Sequence, residues 1–211
     1  MTKTPKPLEP IPPTLLATDP SLRGTGWAIL NLRTWRPIAL GVVVTKSASD
    51  QKKAGLRQSV AEADLRSGLE IFDALTKVMA VYRPLMAAQE GNAGSKSVSA
   101  AAGLARAQQA CGDAIYRFLR ATPIMRTVQS VKKSATGTLN ASKDDIERAV
   151  RSLWPHDDLD SMLRAEPVYA SYGHKPPSPG KWENAFDALA VAHSVKDHPS
   201  LVAFTKFANA V

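Results

Sequence analysis

Apolar residues first appear in short runs and then settle into a helical rhythm. Leu15-Leu16-Ala17 leads into Thr18-Asp19 and is bracketed by Pro12-Pro13 and Pro20, which predicts a short buried strand ending on an acid. Pro20, Gly24 and Gly26 turn the chain back into a second apolar run at 27–32. Arg33-Thr34-Trp35-Arg36 then forms a hairpin turn to a third at 37–45. Leu65, Leu69, Phe72, Leu75, Met79 and Tyr82 recur every three or four positions, which predicts an amphipathic helix over 53–82, stopped by Pro84. A fourth strand at 85–90 again finishes on an acid, and a loop at 91–95 precedes a helix over 98–119. On that helix Val98, Ala101, Ala105, Gln108, Gly112, Ile115 and Leu119 form one face. Gly103, Ala107, Ala110 and Ala114 form a stripe of small residues, open to packing on the domain's own sheet or on another helix. A fifth strand is predicted at 124–131. Ser142 and Asp145 then open a helix through Ile146, Ala149, Val150 and Leu153. The span 157–180 reads as a long irregular loop, and helices at 182–196 and 200–211 close the chain. This order predicts an α/β fold: a five-stranded mixed sheet, three antiparallel strands followed by parallel crossovers, flanked by helices.

Composition narrows the partners. Residues 1–13 hold five prolines and read as a flexible tail, leaving 14–211 as one domain. A hydrophobic fraction of 44% supports a real core. The net charge of +8 favours a polyanionic partner, nucleic acid before membrane surface. Cys111 is the only cysteine, which excludes an intrachain disulfide and a cysteine-based zinc site, and the four histidines have no zinc-ligand spacing. No apolar run approaches a membrane span and no signal-peptide core is present, so a cytoplasmic, nucleoid-associated location is expected, or the host cytoplasm for a viral protein.

Three acids stand out by position. Asp19 and Glu90 end two strands that would be neighbours, and Asp187 lies among Phe186, Ala188, Leu189 and Ala190, where an unpaired carboxylate is costly. A divalent cation would relieve both the crowding and the burial. Glu183 and Asn184, four and three residues earlier on the same helix, are candidate further oxygen ligands. Such a donor set suits Mg²⁺ or Mn²⁺, and two ions per active site would serve phosphodiester hydrolysis. The glycines beside Asp19 would let a phosphate backbone come close.

With these residues in order, the chain resembles the RuvC-type Holliday junction resolvases of the RNase H-like superfamily. Four segments carry the resemblance: 17–26, with Asp19, Thr25 and Gly26; 86–90, with Glu90, followed by Gly103-Leu104-Ala105-Arg106; Val131-Lys132 through Gly137 to Lys143; and Asn184-Ala185-Phe186-Asp187-Ala188-Leu189-Ala190. The resemblance implies an RNase H-like fold, metal ligation by Asp19, Glu90 and Asp187, and Lys132 and Lys143 close to the scissile phosphate. It also implies a homodimer on a four-way junction, with the small-residue stripe as part of the interface. Two departures stand out. The family's penultimate acid falls on Asn184, which Glu183 would replace, and the loop after Glu90 has no aromatic. Arg23, Lys96, Arg106, Lys132, Lys133 and Lys143, with Lys175 and Lys181, are candidate DNA contacts. The expected function is a metal-dependent endonuclease on branched DNA, a Holliday junction resolvase first. A broader structure-selective nuclease and a non-catalytic junction binder stay open.

Overall fold

The computed structural model describes residues 12–53, 55, 59–91, 97–165 and 182–208. Its centre is a five-stranded sheet of β1 (Thr14–Asp19), β2 (Thr25–Asn31), β3 (Pro37–Val43), β4 (Met86–Gly91) and β5 (Ile124–Thr127), in the order β3-β2-β1-β4-β5. The β1–β2 and β2–β3 pairs are antiparallel, and β1–β4 and β4–β5 are parallel. This is the expected mixed sheet. β1 lies in its middle, covered on both faces, which is why Leu15-Leu16-Ala17 is apolar without alternation.

Helices α1 (Ala48–Lys53), α2 (Val60–Tyr82) and α3 (Val98–Leu119) precede and follow β4. Then come α4 (Val128–Thr136), α5 (Lys143–Leu153), α6 (Leu159–Ala165), α7 (Glu183–Ser194) and α8 (Pro199–Ala208). On one face of the sheet α2 and α3 enclose Leu16, Trp27, Ile29, Ile71, Leu75, Met79, Cys111 and Ile115. On the other, α4, α5 and α7 enclose Leu15, Ala17, Leu30, Val131, Ile146, Val150, Phe186 and Leu189.

Several sequence expectations need correction. The helix expected at 53–82 starts only at Val60, because Ser59 caps α2 in a reciprocal box with Glu62. Its buried face is Ala63, Ser67, Ile71, Ala74, Leu75, Val78 and Met79, whereas Leu65 and Leu69 are each 58% exposed. Small residues fill the α2–α3 seam, so the bulky side chains do not mark it. The strand expected at 124–131 stops at Thr127, whose hydroxyl accepts from the Ser130 amide and caps α4. Within the expected loop at 157–180, Leu159 and Leu163 are buried and anchor α6. Ala107, Ala110 and Ala114 are buried in the domain's own core with Ile71 and Leu75, so that stripe is not free for a dimer interface. The Pro-rich tail falls almost entirely outside the described residues.

Candidate active site

Asp19 and Glu90 meet because β1 and β4 run parallel. Thr18 stands opposite Gln89, so the next step along each strand sets Asp19 beside Glu90, on the face shared by Ala17 and Ala88. Asp187 reaches the same face from α7, and the glycines of the first turn decide how closely. A Cβ on Gly26 would lie 1.7 Å from the carbonyl oxygen of Asn184, and one on Gly24 would lie 2.6 Å from Asn184 Nδ2. The glycines therefore form a saddle for the start of α7. Their smallness serves the chain itself, rather than the ligand approach expected from sequence.

Further bonds hold the turn and the strand ends. Thr25 Oγ1 donates to the Ser21 carbonyl at 2.8 Å and accepts from the Ser21 amide at 3.3 Å. Gln89 Nε2 donates to the Gln108 carbonyl at 3.2 Å, and Gln108 Nε2 donates to the Glu90 carbonyl at 3.4 Å, which fastens the end of β4 to α3. Arg23 pins the turn to α2: Nη1 donates to Ser67 Oγ at 2.6 Å and to the Lys46 carbonyl at 3.1 Å, and Nη2 pairs with Asp64.

These elements frame an open cavity of about 870 Å³, lined at its chemical end by Asp19, Glu90, Asn184, Asp187, Lys132 and Lys143. Burial, then repulsion from Asp187 and Glu90, holds the Asp19 carboxyl well above the usual carboxylate range, against the pull of Lys143. Glu90 is pushed up to about 7, chiefly by burial and then by Asp187. Asp187 is raised to about 6, by burial first and by repulsion from Glu183, while Lys143 and Lys132 favour its charged form. The contact between the two carboxyls raises Asp19 further and lowers Glu90. Among the described residues no three or more His, Cys, Asp or Glu side chains already stand as a set that holds a metal ion. Burial holds each of the three carboxyls toward its neutral form. Their chemistry nevertheless fits a hard divalent cation, because three crowded carboxyl groups and the Asn184 amide face one cavity and need positive charge.

The structure thus gathers Asp19, Glu90, Asp187, Asn184, Lys132 and Lys143 around one cavity. Lys132 stands on α4, not on a strand, and its Nζ donates to the Ala141 carbonyl at 2.7 Å. Glu183 is not in the cavity wall; its Oε1 accepts from Lys143 Nζ at 2.6 Å. Arg23 lines the cavity, but its guanidinium is engaged as described, and Arg106 Nη1 lies 3.9 Å from the same Asp64. Lys133 is exposed and outside the cavity wall. Lys96, Lys175 and Lys181 lie outside the described residues. Sequence reasoning missed Asp64, one acid among several on a helix surface with no motif to mark it. His193, half-buried, stands edge-on to Trp154 with ring centroids 6.3 Å apart.

The sheet order and its flanking helices define an RNase H-like fold. The chain superposes on a structure of Thermus thermophilus RuvC with a TM-score of 0.59, at 16% identity, over 92% of this chain and 96% of that one. T. thermophilus RuvC in complex with Holliday junction substrate gives a TM-score of 0.57 at 19% identity, covering 86% and 91%. In sequence, the crossover junction endodeoxyribonuclease RuvC of Granulibacter bethesdensis is 29% identical over 164 residues, which is 76% of this chain and 83% of that protein. No family model matches. The chain therefore resembles the RuvC-type Holliday junction resolvases in sequence as well as in fold.

Proposed function

We propose that this protein is an endonuclease of branched DNA that cleaves phosphodiester bonds at four-way junctions. One observation carries the reading: three carboxyl groups from β1, β4 and α7 meet at one cavity beside Lys132 and Lys143. The similarity to a crossover junction endodeoxyribonuclease and to a RuvC bound to a Holliday junction supports the choice of substrate.

In this reading Asp19, Glu90 and Asp187 hold Mg²⁺ or Mn²⁺, with the Asn184 amide as a weaker oxygen donor. Two ions per site would activate a water and stabilise the leaving oxygen. The chain's own residues do the rest. To hold a cation, Asp19, Glu90 and Asp187 would all have to be ionised, as acceptor-only carboxylates facing the cavity. Lys132, fixed by the Ala141 carbonyl, directs its charge at the phosphate's non-bridging oxygens. Lys143 adds a second cation at the cavity rim, and Arg106 and Lys133 extend the basic surface toward the arms. Arg23, engaged by Ser67, the Lys46 carbonyl and Asp64, acts on the turn rather than on DNA. A homodimer would place two such sites on a two-fold junction, through a face other than the Ala107–Ala114 stripe.

Cleavage of a labelled synthetic four-way junction and a matching linear duplex, with Mg²⁺ or Mn²⁺, tests the proposal. Paired symmetric nicks in the junction alone, absent in Asp19→Asn, are expected. Equal cutting of both substrates would replace this reading with a broader nuclease, and tight binding without cleavage would leave a junction binder.

A further inference from the structure

Lys143 and Glu183 are the first residues of α5 and α7, two neighbouring helices that open at the mouth of the cavity. Their side chains meet at 2.6 Å. Both remain substantially exposed, 56% for Lys143 and 43% for Glu183, so water and salt reach the pair. The position is a poor one for a lysine. A helix start carries partial positive charge and favours acids, as the neighbouring Asp144 and Asp145 show. Glu183, by contrast, suits its own helix start. Besides Glu183, Lys143 faces Asp187 and Asp19 across the cavity, and among the described residues no other cation pairs with Glu183. Asn184, next in sequence, is the residue that enters the cavity wall. The acid at the start of α7 is therefore directed at a lysine and not at the cation position.

We infer that Glu183 is a positioning residue that holds Lys143 at the cavity rim as a stand-in for the DNA phosphate, and that binding DNA exchanges one anion for the other. The inference rests on the proposed DNA-cleaving function. It follows from the strength of the contact: an exposed ion pair contributes about 0–1 kcal/mol, enough to orient the lysine but not to withhold it from a phosphate. The exchange also has a cost, since Glu183 must be left unpaired beside the backbone. Removing its charge should tighten binding, and only through Lys143.

The test is a double-mutant cycle on junction affinity, read by fluorescence anisotropy with a labelled four-way junction in EDTA. Glu183→Gln should bind about two- to fivefold tighter than wild type, the range an exposed pair spans. It should also show a steeper salt dependence, by about one released counterion. Lys143→Met should bind more weakly and erase the gain, so that Lys143→Met with Glu183→Gln equals Lys143→Met alone. A gain that persists without Lys143 would reduce Glu183 to a general repulsive charge and overturn the inference, as would no gain at all. Mn²⁺-induced thermal stabilisation gives the second readout: unchanged in Glu183→Gln if the residue positions Lys143, lost if it is a metal ligand. Wild type that fails to bind the junction would remove the DNA-cleaving reading itself, which separates the two failures.

Discussion

Replacing Asp19 by Asn should make the metal-free protein more stable while destroying the proposed activity. Glu90 is raised from 4.5 to about 7 and Asp187 from 3.8 to about 6. At about 1.4 kcal/mol per decade, each carries roughly 3 kcal/mol of unfavourable free energy once ionised. Both figures contain burial as well as repulsion, and the repulsion is shared, so they do not add. Asp19 is itself held well above the usual range by burial and by both carboxyls, and Asn keeps its shape with no carboxyl left to ionise. A net gain of about 2 kcal/mol is expected at pH 8, or roughly 4–8 °C in Tm for a domain of this size.

The sign of the pH dependence follows from the same groups. Their folded pKa values lie above the unfolded ones, so the folded state holds protons that the unfolded state has released between pH 4 and 7. These groups therefore make metal-free stability fall as pH rises through that window, a trend that His193, lowered by burial, opposes in part. Asp19→Asn should fall less. Thermal unfolding in EDTA at pH 5 and pH 8 reads both effects. Adding Mg²⁺ or Mn²⁺ should stabilise wild type by about 1.4 kcal/mol at ten times the dissociation constant, and the variant much less. Asp19→Asn melting at or below wild type in EDTA at pH 8 would refute the account of three crowded carboxyls. So would a wild-type stability that rises from pH 5 to pH 8.

Gly26→Ala should cost about 3 kcal/mol or more in denaturant unfolding, because its Cβ would lie 1.7 Å from the Asn184 carbonyl oxygen and α7 must move. Asp64→Ala should lower stability by about 2 kcal/mol, since it leaves the half-buried Arg23 guanidinium without its carboxylate. Junction affinity measured in EDTA should stay within about twofold. Asn184→Asp should bind Mn²⁺ about tenfold more tightly by calorimetry, an acid replacing an amide in the cavity wall; unchanged affinity would remove Asn184 from the proposed ligand set.

Local chemistry made the sheet legible. Pro12-Pro13, Pro20 and the paired glycines punctuate β1 and β2, and the strand after Pro84 declares itself by its apolar run, so Asp19 and Glu90 could be placed at strand ends before any coordinates. The α2–α3 layer misled because much of its buried surface is small, Ala63, Ser67 and Ala74 on α2 and Ala107, Ala110 and Ala114 on α3. Hydrophobic size therefore points to Leu65 and Leu69, which face outward. α4 was hidden for a similar reason: Thr127 is as good a strand residue as it is a cap, and only the end of β-pairing at Thr127 decides between them.

The site was legible in its acids and not in what supports them. Carboxylates at strand ends follow from one-dimensional order, whereas the Gly24–Gly26 saddle, the Arg23–Asp64 clamp and the Lys143–Glu183 pair join residues 40 to 160 positions apart. Each makes a different demand. The saddle needs the absence of an atom, the clamp needs a guanidinium with several acceptors, and the pair needs only two exposed charges. The order also ranks how each tolerates change. Alanine in the saddle meets backbone that cannot yield, loss of Asp64 strands one charge in a half-buried place, and loss of Glu183 exposes a lysine to water at little cost. The contact closest to the proposed phosphate path is therefore the weakest of the three, as a contact that DNA must displace has to be.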